Sequence, residues 1–223
     1  MPDNFIFDKQ GPITTITFNR PERRNCLDEE VIFDFENLLH TVRDDRETRA
    51  LIVTGTGTAF CAGADVSALK ASAGREQQRL FSKQAGKRMP RLIGRVFDVL
   101  ANLDVVTIGA INGYAVGGGW SWALAFDFCL AVEDAEFWVP EVDMGVPYRG
   151  APAKVLAAAL GPWRAKEERC SLSIRALGPS SPAAFHTPDR STPAHEWWPA
   201  FHRIRCRWCR PESRPTGRAH PAS

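Results

Sequence analysis

The chain has 223 residues, of which 44% are hydrophobic and 24% charged, with a formal net charge of +2, enough for one domain with a substantial core. No apolar run approaches the roughly 18 residues of a membrane helix, and the N-terminus lacks the basic-then-apolar pattern of a secretion signal. Because its six cysteines also show no disulfide framework spacing, we expect a cytoplasmic protein without membrane partners.

The small net charge conceals an acidic first part and a basic last part. Residues 1–168 carry 19 basic and 23 acidic side chains, whereas residues 169–223 carry nine arginines and three acids. A basic tail behind an acidic body is not the even basic surface of a nucleic-acid-binding protein, so no nucleic-acid partner is expected; an arginine-rich stretch at 203–208 is a minor alternative. Cys206 and Cys209 have no second ligand pair, so no metal site is predicted.

The first quarter of the chain predicts three strands and a helix. β-Branched residues at 13–18 predict a strand that pairs with Phe5–Phe7 across a turn at 10–12. Asp28 is a candidate N-cap for a helix whose apolar positions follow a helical period: Val31, Ile32, Phe35, Leu38 and Leu39. The continuous apolar run 50–55 predicts a strand that is covered on both faces.

The middle of the chain alternates helices and strands. A glycine-rich loop at 57–65 precedes a long helical stretch from about 75 to 100, either continuous or interrupted at Pro90. Further strands are predicted at 105–111, 128–132 and 136–139, and a helix begins near 151. This alternation indicates an α/β domain with right-handed crossovers.

Three consecutive glycines, Gly117 to Gly119, run directly into an apolar helical segment. Without side chains to screen their N–H groups, a ligand oxygen can approach the backbone closely, and the first N–H groups of a helix have no partner within it. The pattern favours a site for an anion, or for an oxygen that becomes one during a reaction. The alternative is a helix packed tightly against a strand.

These loops and this strand order resemble the crotonase superfamily, the enoyl-CoA hydratases and isomerases. The matching stretches are Phe60-Cys61-Ala62-Gly63-Ala64-Asp65, then 112–119, 135–147 and the shorter 18–22 and 24–27. The resemblance covers residues from about 5 to 166. It implies an α/β fold, a crotonase-like superhelix of repeated β-β-α units that is incomplete at the C-terminus, with acyl-CoA thioesters as ligands.

The resemblance assigns an oxyanion hole to the backbone N–H groups of Ala64 and Gly118. Two such donors would hold the thioester oxygen as it becomes an enolate, and each donor is typically worth about 2.7–4 kcal/mol. Coenzyme A is then part of the substrate, and no separate cofactor is expected. Its contacts are expected at Arg24, Ala62, Gly63, Ala64, Asp65, Val66, Gly117 and Gly118. Its phosphates are expected near Arg20, Arg23 and Arg24, for which a solvated turn is the alternative.

The acid/base residue that the resemblance implies is Glu141. Apolar neighbours would raise the pKa of its carboxyl group toward the range useful for proton transfer. Hydratases of the family have a second glutamate where this chain has Ser121, and a serine hydroxyl is not a base near neutral pH without an activating partner. Asp143 is a possible second carboxylate if one strand carries both side chains. The substitution favours isomerisation or another one-glutamate reaction over efficient hydration.

The resemblance ends near residue 166, which divides the chain into an incomplete crotonase-like domain, 1–166, and a tail, 167–223. The tail is rich in arginine, proline and serine and poor in aliphatic residues, a composition that predicts disorder. Its abrupt change of character suggests translation in another reading frame. Trimers or hexamers, expected for the family, are in doubt without the closing helices. The alternative function is a catalytically inactive remnant that binds CoA weakly or not at all.

Overall fold

The computed structural model describes residues 3–65, 75–141, 150–160 and 174–175. Within these ranges lie nine strands, a 3-10 turn at Pro21–Arg23 and four α-helices. The strands are β1 Phe5–Gln10, β2 Ile13–Phe18, β3 Ala50–Gly55, β4 Ala59–Cys61, β5 Val106–Ile111, β6 Tyr114–Val116, β7 Phe128–Ala131, β8 Glu136–Trp138 and β9 Ile174–Arg175. The helices are α1 Glu29–Asp44, α2 Arg75–Ala101, α3 Gly118–Ala123 and α4 Ala151–Leu160.

The strands form two sheets. The larger has the order β1-β2-β3-β5-β7, and the smaller has the order β4-β6-β8-β9. β1 and β2 are antiparallel, and β2, β3, β5 and β7 are parallel. The chain therefore alternates between the sheets: β3 is followed by β4, and β5 by β6. The α/β class predicted from the sequence, with a chain that winds repeatedly between two sheets, is confirmed.

Helix α1 begins where the sequence predicts. Oδ1 of Asp28 accepts a hydrogen bond of 3.0 Å from the backbone N–H of Val31, which satisfies one of the unpaired donors of the first turn. The apolar face of the helix is buried against the larger sheet and α2. In that core the ring of Phe35 lies 5.2 Å from the ring of Phe18 and 5.1 Å from that of Trp122.

The structure settles one open alternative and corrects one prediction. Pro90 does not interrupt the long helix, because α2 runs from Arg75 to Ala101 through it. A proline inside a helix costs about 3 kcal/mol, and this cost is offset by the buried apolar residues that follow it: Leu92, Val96, Phe97 and Leu100. The loop predicted at 57–65 contains strand β4, and β6 precedes the three glycines.

Little of the tail is described. Ile174–Arg175 pairs with β8 in antiparallel register, with Phe137 opposite Ile174. These two residues lie within the segment for which composition predicts disorder. The rest of that segment lies outside the described residues.

Candidate functional site

The loop that carries Ala64 is held along its length by residues 24–27. The backbone N–H of Ala62 donates to Arg24 O (3.0 Å), Leu27 N–H donates to Gly63 O (2.8 Å), and Asp65 N–H donates to Leu27 O (2.8 Å). This is the pattern of a parallel β-bridge between Leu27 and Ala64. In such a bridge the neighbours of the central residue face the partner strand, so the N–H of Ala64 points away from Leu27.

The two glycine-containing loops meet at Gly63. Its φ of +79° lies in the left-handed region, where glycine is favoured. A Cβ at Gly63 would lie 2.6 Å from Val116 O and 3.5 Å from the backbone N of Gly118. Ala64 and Gly118, 54 positions apart in the sequence, therefore belong to segments in direct contact.

The backbone at the start of α3 also makes close contacts with neighbouring segments. Gly117 has φ +52°, and its N–H donates to Trp138 O at 2.8 Å. A Cβ at Gly118 would meet Cδ1 of Ile93 at 2.9 Å and Cδ1 of Leu27 at 3.0 Å. The backbone of Gly118 is thus bordered by two apolar side chains.

Glu141 brings a carboxyl group to the same place. A Cβ at Gly117 would lie 3.1 Å from Oε1 of Glu141. Oε2 of Glu141 is buried and has no hydrogen-bond partner among the described residues. Burial raises the pKa of this carboxyl group above its usual value, against a smaller lowering by a backbone hydrogen bond. The arrangement provides a protonatable group beside the start of α3.

Ser121 is buried, with 5% of its surface exposed, and its N–H donates to Gly117 O at 2.9 Å. The tryptophans on either side are packing residues. The Trp122 ring is fully buried and its Nε1–H donates to Ile93 O at 3.0 Å, and the Trp120 ring lies 4.8 Å from that of Phe137.

Of the three arginines considered for phosphate binding, Arg20 and Arg23 pair with acidic side chains, and Arg24 is exposed. Nη1 of Arg20 donates to Asp28 Oδ2 at 2.8 Å, and the Arg20 side chain is only 13% exposed, so this cation is used within the fold. Arg23 pairs with Asp65, which ties the end of the loop to the 3-10 turn. Arg24 is exposed, and its carbonyl accepts from Ala62.

The condition under which Asp143 would serve as a second carboxylate is not met. Strand β8 ends at Trp138, so Glu141 lies beyond the strand and its side chain is not on a strand face. Asp143 and Val66 themselves lie outside the described residues. Cys61 is fully buried, which raises the pKa of its thiol to about 12, so the thiol beside Gly119 stays protonated.

Two asparagines of the site region were not identified from the sequence. Asn25 and Asn112 lie within the matched motifs, are 1% and 9% exposed, and both donate to Ala59 O. The only signal was their position in the matched stretches 24–27 and 112–119. In the described part of the chain, no group of three or more histidine, cysteine, aspartate or glutamate residues could hold a metal ion. None of the described helices is long and apolar enough to cross a bilayer.

Comparison with known proteins identifies relatives of the chain. Residues 8–172 match the family model described as enoyl-CoA hydratase/isomerase. The chain is 30% identical over 166 residues to a crotonyl-CoA hydratase of Syntrophomonas wolfei and 31% identical over 166 residues to a short-chain-enoyl-CoA hydratase of Clostridium acetobutylicum. In both cases the match covers 74% of this chain.

A comparison with solved structures matches a similar share of the chain. The crystal structure of an enoyl-CoA hydratase from Bacillus anthracis superimposes with a TM-score of 0.67 and 31% identity, over 78% of this chain and 65% of that chain. The present chain spans 60% of the length of each of the two hydratases named above. Its motifs, fold and matched residues establish that it belongs to the enoyl-CoA hydratase/isomerase family.

Proposed function

We propose that the chain is an acyl-CoA enzyme of the enoyl-CoA hydratase/isomerase type. In this proposal, the backbone N–H groups of Ala64 and Gly118 hold the thioester oxygen as it becomes an enolate. Removing a proton beside a thioester carbonyl places negative charge on that oxygen, and fixed backbone donors stabilise it without reorganising.

The contact between the two loops is the observation that carries the proposal. Gly63, next to Ala64, would bring a Cβ to 3.5 Å from Gly118 N. The parallel bridge to Leu27 directs the Ala64 N–H away from residues 24–27. Gly118 is the first residue of α3, so its N–H has no partner within the helix.

We assign the acid/base role to Glu141. Its buried, unpartnered Oε2 and raised pKa suit a group that takes up and returns a proton near neutral pH. A 1,3-proton shift needs one such base and an oxyanion hole. Addition of water, in contrast, benefits from a second carboxylate that anchors the water, and Ser121 stands where hydratases of the family have it. Isomerisation of 3-enoyl thioesters is therefore favoured over hydration.

Coenzyme A would lie along the loop at residues 62–66, with its phosphates near Arg24. The relatives named above are hydratases of crotonyl-CoA and of short-chain enoyl-CoA, which supports a thioester substrate. Arg20 is removed from the phosphate site by its pairing with Asp28. The family's trimers and hexamers are a further expectation, which light scattering after size-exclusion chromatography tests.

The function is tested by incubating the full chain with crotonyl-CoA and with a 3-enoyl-CoA. Hydration is followed by loss of absorbance of the conjugated thioester, and isomerisation by its gain. We expect the rate of isomerisation to exceed the rate of hydration. Absence of both reactions, together with failure to bind CoA thioesters in calorimetry, would instead identify an inactive remnant, an alternative raised by the 60% coverage of the relatives.

A further inference from the structure

A single backbone carbonyl, that of Ala59, accepts hydrogen bonds from two segments that position the proposed oxyanion amides: 24–27, which holds the Ala64 loop, and the β5–β6 connection, which leads to Gly118. Nδ2 of Asn25 donates to it at 2.8 Å, and Nδ2 of Asn112 donates to it at 3.4 Å. Ala59 is the first residue of β4 and follows the β3–β4 connection, 56–58. Two buried side chains from distant parts of the chain thus converge on one short connection.

Asn25 fixes the segment that holds the Ala64 loop. Its side chain accepts from Arg20 N–H at 2.8 Å and donates to Thr56 O at 3.0 Å in addition to Ala59 O. It is 1% exposed and has a φ of +55°, a conformation that asparagine tolerates better than most residues. Arg24 and Leu27, on either side of Asn25 in the segment 24–27, make the backbone hydrogen bonds that set the position of Ala64.

Asn112 fixes the segment that leads to Gly118. It lies between β5 and β6, and its Nδ2 also donates to Gly57 O at 3.0 Å. Two residues later, the N–H of Tyr114 donates to Thr58 O at 3.4 Å. β6 then runs directly into Gly117 and α3, so the position of Gly118 depends on how β6 is seated on the β3–β4 connection.

The contacts around the connection are very close. A Cβ at Gly55 would lie 2.4 Å from Ala59 O, and a Cβ at Gly113 would lie 2.1 Å from Thr58 O. The backbone segments therefore touch without intervening side chains. Because closely packed backbone segments cannot be compressed, a substitution of either asparagine displaces the loops.

We propose that Asn25 and Asn112 are positioning residues that together set the spacing between the Ala64 and Gly118 amides through the shared carbonyl of Ala59. This inference rests on the proposed function. By setting this spacing, the two residues determine how strongly the amides bond to the thioester oxygen. Neither side chain contacts the substrate.

The test uses infrared spectroscopy of crotonyl-CoA labelled with ¹³C at the thioester carbonyl and bound to the full chain. Two close N–H donors lower the carbonyl stretching frequency of the bound ligand. The variants Asn25→Asp and Asn112→Asp keep the side-chain shape but lose the Nδ2 donor. Thr14→Val is the control, since it removes another buried hydrogen bond, Thr14 to Thr48 at 2.7 Å, at the far end of β2.

The proposal expects each asparagine variant to lose most of the frequency shift and roughly a hundredfold in kcat/KM, chiefly in kcat. Asn25→Asp and Asn112→Asp combined should lose little more than either alone, because they act on one spacing. Thr14→Val should lower the melting temperature and keep the shift. A wild-type chain with no shift would refute the oxyanion hole itself.

A wild-type shift retained by folded Asn25→Asp and Asn112→Asp would overturn the positioning role and leave the proposed function intact. If the aspartate variants unfold because a carboxylate is then buried against carbonyl oxygens, Asn25→Leu and Asn112→Leu, which lose the donor without adding a charge, replace them in the same measurement. A wild-type shift retained by the folded leucine variants would overturn the positioning role.

Discussion

The carboxyl group of Glu141 lies against Gly117, so that a Cβ at Gly117 would be 3.1 Å from Oε1. Glycine at this position leaves room for the carboxyl group at the start of α3. The other oxygen, Oε2, is buried without a partner among the described residues. An unsatisfied buried oxygen is costly for the fold, and such groups are concentrated at functional sites.

Glu141→Gln tests the assignment of the base. The amide is isosteric but cannot take up the proton, so we expect isomerisation of 3-enoyl-CoA to fall by about 10²–10⁴-fold with binding of the thioester retained. Steady-state kinetics and calorimetry measure the two effects. Glu133→Gln, at an exposed position, is the matched control and should leave the rate unchanged. Equal rates for wild type and Glu141→Gln would remove Glu141 from the mechanism.

The raised pKa of Glu141 predicts two pH dependences. As a base it must be ionised, so kcat/KM should rise with pH through a pKa above the usual carboxyl range. Stability changes in the opposite direction, because the folded state binds this proton more tightly than the unfolded state. The free energy of unfolding of the wild type should therefore fall relative to Glu141→Gln as pH rises from the usual glutamate pKa through the raised one. Urea titrations across that range would show parallel curves if burial did not shift the pKa.

Gly63→Ala should disrupt the meeting of the two loops. Its φ of +79° makes any Cβ unfavourable by about 1–2 kcal/mol, and the contact with Val116 O adds to this. We expect a lower urea midpoint and loss of turnover. Gly94→Ala is the control: nothing lies within 4 Å of a Cβ there, and alanine in a helix is favoured over glycine by roughly 0.5–1 kcal/mol. Gly94→Ala should raise the midpoint and preserve activity.

Ser121→Glu tests why hydration is disfavoured. It supplies a carboxylate where hydratases of the family have one, and two carboxylates can anchor a water molecule. The ratio of crotonyl-CoA hydration to 3-enoyl-CoA isomerisation should rise, although burial of the new side chain will reduce stability. Ser121→Ala, which adds no carboxylate, should leave the ratio unchanged. A ratio unaffected by glutamate would show that something other than the second carboxylate limits hydration.

The sequence was most informative where a local rule and the tertiary structure agree. Asp28 was predicted as a cap from residue type and the spacing of apolar positions, and both are local properties. The strands of the larger sheet were predicted for the same reason, since their apolar runs are long enough to recognise. Strands β4 and β6 were missed because each has three residues in glycine-rich sequence and is defined by its neighbour in the sheet.

The site was less predictable because it depends on pairings between distant residues. Nothing near Arg20 indicates that its guanidinium group bonds to Asp28 and not to a phosphate. The resemblance supplied Ala64, Gly118 and Glu141, but no pattern in the sequence indicates that Asn25 and Asn112 share one carbonyl.

The central claim is tested most directly by a crystal structure of the chain with a bound acyl-CoA. If these two amides form the oxyanion hole, the thioester oxygen lies within about 3 Å of both the Ala64 N and the Gly118 N. A bound thioester whose oxygen contacts only one of these amides, or neither, would contradict it.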